Sequence, residues 1–159
     1  MKKLLVIVAI LATQMTSAFT KECPIVLASG LDYSWDFQVE LPKDYTEKLK
    51  NRLEDEGYKV VEELNAGTYT THPFIFKTAA KKNALSVVFR PALNYIPEDL
   101  YNGGQLFCQM SLKVFSSSED PETLLDVEVR GMETKIPALA VLNCDAAFRK
   151  VVNQIPACE

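Results

Sequence analysis

Apolar and polar residues alternate without interruption from Tyr33 to Leu41, with Tyr33, Trp35, Phe37, Val39 and Leu41 on one side and Ser34, Asp36, Gln38 and Glu40 on the other. That period of two predicts a half-buried strand, ended by Pro42. The period then changes. Tyr45, Leu49 and Leu53 recur at every fourth residue, while Lys43, Glu47, Lys48, Lys50, Glu54 and Asp55 fall outside the stripe, as in a helix with one narrow apolar face. Asp44, with Glu47 three residues on, makes a capping box that starts this helix, and Gly57 offers the left-handed conformation that stops it. Tyr58, Val60 and Val61 open the next extended segment. This strand, capped helix and strand form the unit around which the rest of the chain is expected to be arranged.

Elsewhere the patterns are shorter. Residues 24–28 predict a short extra strand before a turn at Gly30, and residues 62–71 read as a polar loop around Gly67. Residues 74–76 suggest a short strand, followed by a turn or a single helical turn through Lys81 and Lys82. Leu85, Val87 and Phe89 alternate in a strand ended by Pro91, and residues 92–104, with Tyr95 and Tyr101, form a long connection of the kind that often carries function. Residues 106–115 and 125–129 make a hairpin closed by the polar stretch 116–122. On its outer face Phe107 and Phe115 alternate with Gln109, Ser111 and Lys113, giving either a second layer of packing or an exposed contact surface. Val141, Cys144, Phe148, Val151 and Ile155, at steps of three and four, mark one amphipathic helix over 137–155 with Pro137 in its first turn. Together these elements predict a single α+β domain, a two-layer sandwich in which two helices cover one face of a mainly antiparallel sheet.

The amino-terminal stretch is of a different kind. Lys2 and Lys3 precede an almost unbroken apolar run over residues 4–12, and small residues stand at Thr16 and Ala18, the layout of a secretory signal over 1–18. The run is too short for a membrane span, which takes roughly 20 apolar residues. Cys23 lies near the cleavage region, but Thr20, Lys21 and Glu22 before it do not suit lipid attachment. The expected mature chain, 19–159, is one domain without membrane insertion, periplasmic or secreted. Without Lys2 and Lys3 it holds 15 basic against 21 acidic residues, a net charge of −6. That sign gives no electrostatic footprint for nucleic acid or an anionic membrane. The chain has no Asn-x-Ser/Thr sequon, which fits a bacterial periplasm.

All four cysteines, Cys23, Cys108, Cys144 and Cys158, fall in the mature part, and an even number in an exported chain favours disulfides. Their spacings suit neither zinc nor a redox pair. Along a helix rising about 1.5 Å per residue, Cys144 and Cys158 would stand about 20 Å apart, too far to bond. Cys108 faces inward on its strand and Cys144 inward on the covering helix, which favours Cys108 with Cys144 and Cys23 with Cys158. The pairing of Cys23 with Cys144 and Cys108 with Cys158 stays open.

No catalytic pattern stands out. His72 is the only histidine and precedes Pro73 in a predicted loop, and no nucleophile elbow, zinc helix or phosphate-cradling loop is present. The acid pairs Glu54-Asp55-Glu56, Glu62-Glu63, Glu98-Asp99 and Glu119-Asp120 read as charged surface, and the last lacks the spacing of a calcium loop. No cofactor, metal or catalytic residue is expected.

The run Leu49-x3-Leu53-Glu54-x2-Gly57-Tyr58-x-Val60-Val61, followed by strands, a late hairpin and a closing helix, resembles the layout of small bacterial envelope domains. It is similar to the amino-terminal domain of the Tol-Pal propeller protein and to the outer-membrane lipoproteins that activate penicillin-binding proteins. The resemblance implies an envelope accessory module that binds another protein. The expectation is therefore a non-catalytic domain that binds an envelope protein through Phe107, Phe115, Tyr95 and Tyr101. Two alternatives are a carrier of a small apolar ligand lined by Tyr33, Trp35 and Phe37, and a hydrolase using surface carboxylates.

Overall fold

The computed structural model describes residues 22–30, 32–33, 44–65, 72–97 and 104–158. In chain order these form β1 (Cys23–Ser29), β2 (Asp32–Tyr33), α1 (Asp44–Asp55), β3 (Tyr58–Asn65), α2 (His72–Lys81), β4 (Leu85–Ile96), β5 (Gln105–Phe115), β6 (Thr123–Arg130) and α3 (Pro137–Val152). They make one α+β domain around a single sheet of order β3-β1-β4-β5-β6, with β2 paired to β4 in line with the end of β1. β3, β1 and β4 run parallel, while β4 with β5, the longest ladder, and β5 with β6 are antiparallel.

The parallel half explains where the helices lie. The chain steps from β1 outward to β3 through α1, then back past β1 to β4 through α2. Crossovers of one hand that move in opposite directions place their helices on opposite faces. Accordingly Tyr45, Leu49 and Leu53 of α1 join Ala140, Cys144, Phe148 and Val151 of α3 over Ile25, Leu27, Val87, Phe89, Cys108, Met110 and Leu112. On the other face Ile75 and Ala79 of α2 cover Ala28, Val88 and Phe115, and Val26 with Ala84. Two helices thus close one face, and a third adds cover over part of the other.

Several local expectations change. The strand expected over 33–41 lies outside the described residues beyond Tyr33 in β2. Residues 24–28 are not a peripheral strand but the centre of the parallel half: Ile25 and Leu27 face one layer, Val26 and Ala28 the other, all buried. β3 continues through Asn65, so residues 62–65 are strand rather than loop. The Phe74–Phe76 stretch is helical, because Pro73 suits a first helical turn and Ile75 and Ala79, four apart, meet the sheet on one side. His72 is therefore the first residue of α2 and not a loop residue.

Pro91 does not end its strand either. It sits opposite Met110 of β5. On its other edge it falls between Phe89, the last residue paired with β1, and Ala92, the first paired with β2. A residue without an N–H is tolerated where a ladder is interrupted. Residues 92–96 of the expected connection are consequently strand.

The disulfides join Cys108 to Cys144, with Cα atoms 5.1 Å apart, and Cys23 to Cys158, 6.0 Å apart. The first pins α3 to β5 inside the core, both residues being fully buried. The second ties the start of β1 to the carboxy-terminal segment, where the Cys158 N–H also donates to the Glu56 carbonyl at 2.8 Å. Two disulfides place the folded chain in an oxidising, extracytoplasmic compartment. Among the described residues, no helix is long and apolar enough to cross a membrane.

Candidate functional site

The outer face of β5 is covered or polar. Phe115 is buried beneath α2, its ring 4.9 Å from that of Phe76 and 6.3 Å from that of His72. Phe107 is buried too, with the Arg130 guanidinium carbon 3.8 Å from its ring centroid and Arg130 paired to Glu133. Neither ring forms an exposed apolar face. Between them a polar ladder crosses three strands: Asn94 donates to Gln109 at 2.9 Å and Gln109 to Glu128 at 2.8 Å, while Lys113 pairs with Asp126 at 2.8 Å. Tyr95 stands on β4, about one third exposed, with its ring laid across Gly104 where no Cβ would fit. Tyr101, and the side chains of Tyr33, Trp35 and Phe37, lie outside the described residues.

His72 packs between α2 and the sheet, its Nε2 3.4 Å from an Arg90 nitrogen and its ring 5.8 Å from that of Phe76. Burial, and then the charges of Arg90 and Lys113, hold its pKa below the usual histidine value. Its neighbours are cations and aromatic rings, a setting that keeps the imidazole neutral. An open cleft of about 650 Å³ lies beside the Cys23–Cys158 bond, lined in part by Glu22, Glu54, Tyr58 and Lys59. Lys59 is bound to Glu22 at 2.7 Å, and burial, with Glu56 nearby, raises the Tyr58 pKa above the usual tyrosine value. Among the described residues no three His, Cys, Asp or Glu side chains gather as a metal site.

Among the described residues, Phe74, Leu124, Val61 and Tyr95 are exposed singly on α2, β6, β3 and β4, whereas four more exposed apolar residues lie close in sequence at the β6–α3 connection and on the solvent side of α3. After β6 the chain stays on the sheet: Gly131 N–H donates to the Cys108 carbonyl at 2.7 Å, and Leu106 and Thr134 exchange backbone bonds at 2.7 and 2.9 Å. Gly131 lies so close to Asn143 that an added Cβ would stand 3.3 Å from that residue's Cβ and carbonyl oxygen. The Asn143 side chain donates to the Met132 carbonyl at 2.9 Å, holding Met132 beside α3. The Ile136 N–H then donates to the Thr134 hydroxyl, and α3 begins.

Ala140, Cys144, Ala147, Phe148 and Val151 turn inward, which leaves Leu139 and Leu142 on the opposite side. Met132 is 76% exposed, Ile136 54%, Leu139 45% and Leu142 61%. No charged residue stands between Lys135 and Asp145. Asn143 apart, the first turns of α3 are thus apolar on both the inward and the outward side, a composition found in helices that are covered on all sides. Sequence periodicity gave only the inward stripe; the signal for the outer one was the nine-residue gap in charge over 136–144.

No protein-family model matches the chain, and no curated protein sequence does. Among solved structures it is similar to the hypothetical protein CT253 from Chlamydia trachomatis, with a TM-score of 0.53 and 11% identity over 84% of this chain and 95% of that one. Lower scores relate it to a PelC dodecamer from Paraburkholderia phytofirmans (TM-score 0.49, 11% identity, 88% and 91% covered). They also relate it to lipoprotein GNA1162 from Neisseria meningitidis (TM-score 0.45, 13% identity, 83% and 99% covered). The likeness to the first of these is one of fold.

Proposed function

We propose that this chain is an exported, non-catalytic accessory domain of the cell envelope, periplasmic in location, that works by binding another protein. The observation that carries the reading is the exposed apolar surface of Met132, Ile136, Leu139 and Leu142. These four residues expose on the order of 400 Å² in all, within the range of the largest apolar patch on a soluble monomer, which is often a functional surface. The surface is also firmly built, since the buried Cys108–Cys144 bond and the Gly131–Asn143 contact fix the helix and the connection that present it. The disulfides suit an oxidising compartment, and with its sulfur bonded to Cys158, Cys23 is not a lipid-attachment residue.

A photo-cross-linking residue in place of Leu142, installed in the exported protein in its own cells, tests this. Irradiation should yield a discrete protein adduct from Leu142 and none from a control at exposed Glu119. Equal, diffuse labelling at both positions, or none at Leu142, would refute the proposal.

A further inference from the structure

We infer that the apolar surface of α3 closes on a second copy of this chain, two α3 helices packing antiparallel about a two-fold axis near Leu139. This rests on the reading of that surface as a protein-binding one and names its occupant. Charge is the first reason. The surface carries no charge from Ile136 to Cys144, so it calls for an occupant that is itself neutral and apolar, and the same surface on another copy is one. The cations of the last turn do not oppose this, and Lys135, four residues before Leu139, would face the part of the second helix that carries Asp145. Arg149 lies ten residues from Leu139, about 15 Å along the helix, so the two copies of Arg149 would stand about 30 Å apart, well beyond the screening length of physiological salt. An anionic bilayer is disfavoured because the mature chain, without Lys2 and Lys3, carries a net charge of −6.

Shape and area are the second reason. Leu139 is the middle of three exposed apolar positions three residues apart, so a two-fold there sets it against its own copy and Leu142 toward Ile136 of the other. Exposed Ala138 and Ala146 flank the leucines and let the helices approach closely. A stable interface covers about 800 Å² per partner, somewhat over half of it apolar. The roughly 400 Å² exposed by Met132, Ile136, Leu139 and Leu142 is close to that apolar share.

Sedimentation equilibrium of the mature protein, with both disulfides formed, tests the inference from about 1 to about 100 µM, a span that covers the weak end of the affinities that interfaces of standard size reach. The wild type should be dimeric at the upper end, and Leu139→Glu should weaken association at least 100-fold with its circular dichroism unchanged. Leu139→Cys should form an intermolecular disulfide on mild oxidation, and Lys150→Cys should not. A wild type that stays monomeric, or a Leu139→Glu variant that still dimerises, overturns the inference. If the monomeric protein gives adducts at Leu142 with a different protein in cells, only the second copy is rejected; if it gives none, the protein-binding reading falls as well. Wild-type binding to phosphatidylglycerol vesicles, lost in Leu139→Glu, would assign the surface to lipid and overturn both.

Discussion

The Cys23–Cys158 bond allows a quantitative test, because it constrains the unfolded chain while contributing little packing to the folded one. It closes a loop of 135 residues, and both cysteines are partly exposed at the end of the sheet. On the chain-entropy model, opening a loop of that length releases about 5 kcal/mol of constraint on the unfolded ensemble. The folded ends keep other ties: the Cys158 N–H to Glu56 bond, the Tyr58 hydroxyl donating to the Pro156 carbonyl at 3.1 Å, and buried Ile155. Cys23→Ser with Cys158→Ser should therefore leave the native structure in place yet remove about 4–5 kcal/mol of stability. That is a third or more of what a domain this size holds. Urea denaturation followed by far-ultraviolet circular dichroism would read this as a midpoint lowered by roughly 2 M. The buried Cys108–Cys144 bond closes a loop of only 36 residues, for which the same model gives about 4 kcal/mol. Its removal as Cys108→Ala with Cys144→Ala should nevertheless cost at least as much, because two buried sulfurs leave voids worth about 1 kcal/mol each. A midpoint shift below about 0.5 M for the Ser pair would refute the reasoning, since it would mean the unfolded chain is already confined without the bond.

Two further expectations concern the α2 face. Phe115→Ala should cost about 3–4 kcal/mol in urea melts, since it empties the contact with Ile75, Val88 and Phe76; a cost below 1 kcal/mol would mean that α2 does not seal this face. His72 has a folded pKa below its unfolded value, so the unfolded state binds the proton first as pH falls. Stability should hold above about pH 6.5 and decline as pH drops below it, down to the folded pKa. His72→Gln should flatten that slope in urea midpoints taken at pH 7.5 and 5, and an unchanged slope would assign it to other groups.

The elements that show one wet face and one dry face were legible in the sequence. The α1 stripe of Tyr45, Leu49 and Leu53, the stop at Gly57 with φ of +89°, the β5–β6 hairpin and the inward face of α3 all follow from period and capping. The reach of a helix excluded only Cys144 with Cys158, and the inward faces of β5 and α3 favoured the observed pairing over the one left open. β1 was underestimated because burial on both faces erases alternation and leaves a short apolar run with no side to read. α2 was obscured by Phe74, Ile75 and Phe76, which suit a strand on propensity; Pro73 and the four-residue step to Ala79 were the competing signal. Phe107 and Phe115 do point outward from the main core, yet strand periodicity gives direction and not cover, and α2 and Arg130 supply the cover. Leu139 and Leu142 escaped notice because one strong inward stripe already accounted for the helix.

The mixed sheet also sets an order of assembly. β5, β6 and α3 follow one another directly, so the hairpin and its helix can meet over short stretches of chain. Ile25, by contrast, pairs with Leu85, and β1 takes its place only once β3 and β4 flank it. Pairings between distant residues form slowly, because the intervening chain must lose its freedom before any contact rewards it. The first of the described strands to be synthesised is then among the last to be enclosed. Until it is, Ile25, Val26, Leu27 and Ala28 present an apolar segment to the solvent on both sides. Such a segment is prone to aggregate and is the kind of stretch a holding chaperone would bind. In this protein a strand buried on both faces in the native state is thus among those most at risk on the way there.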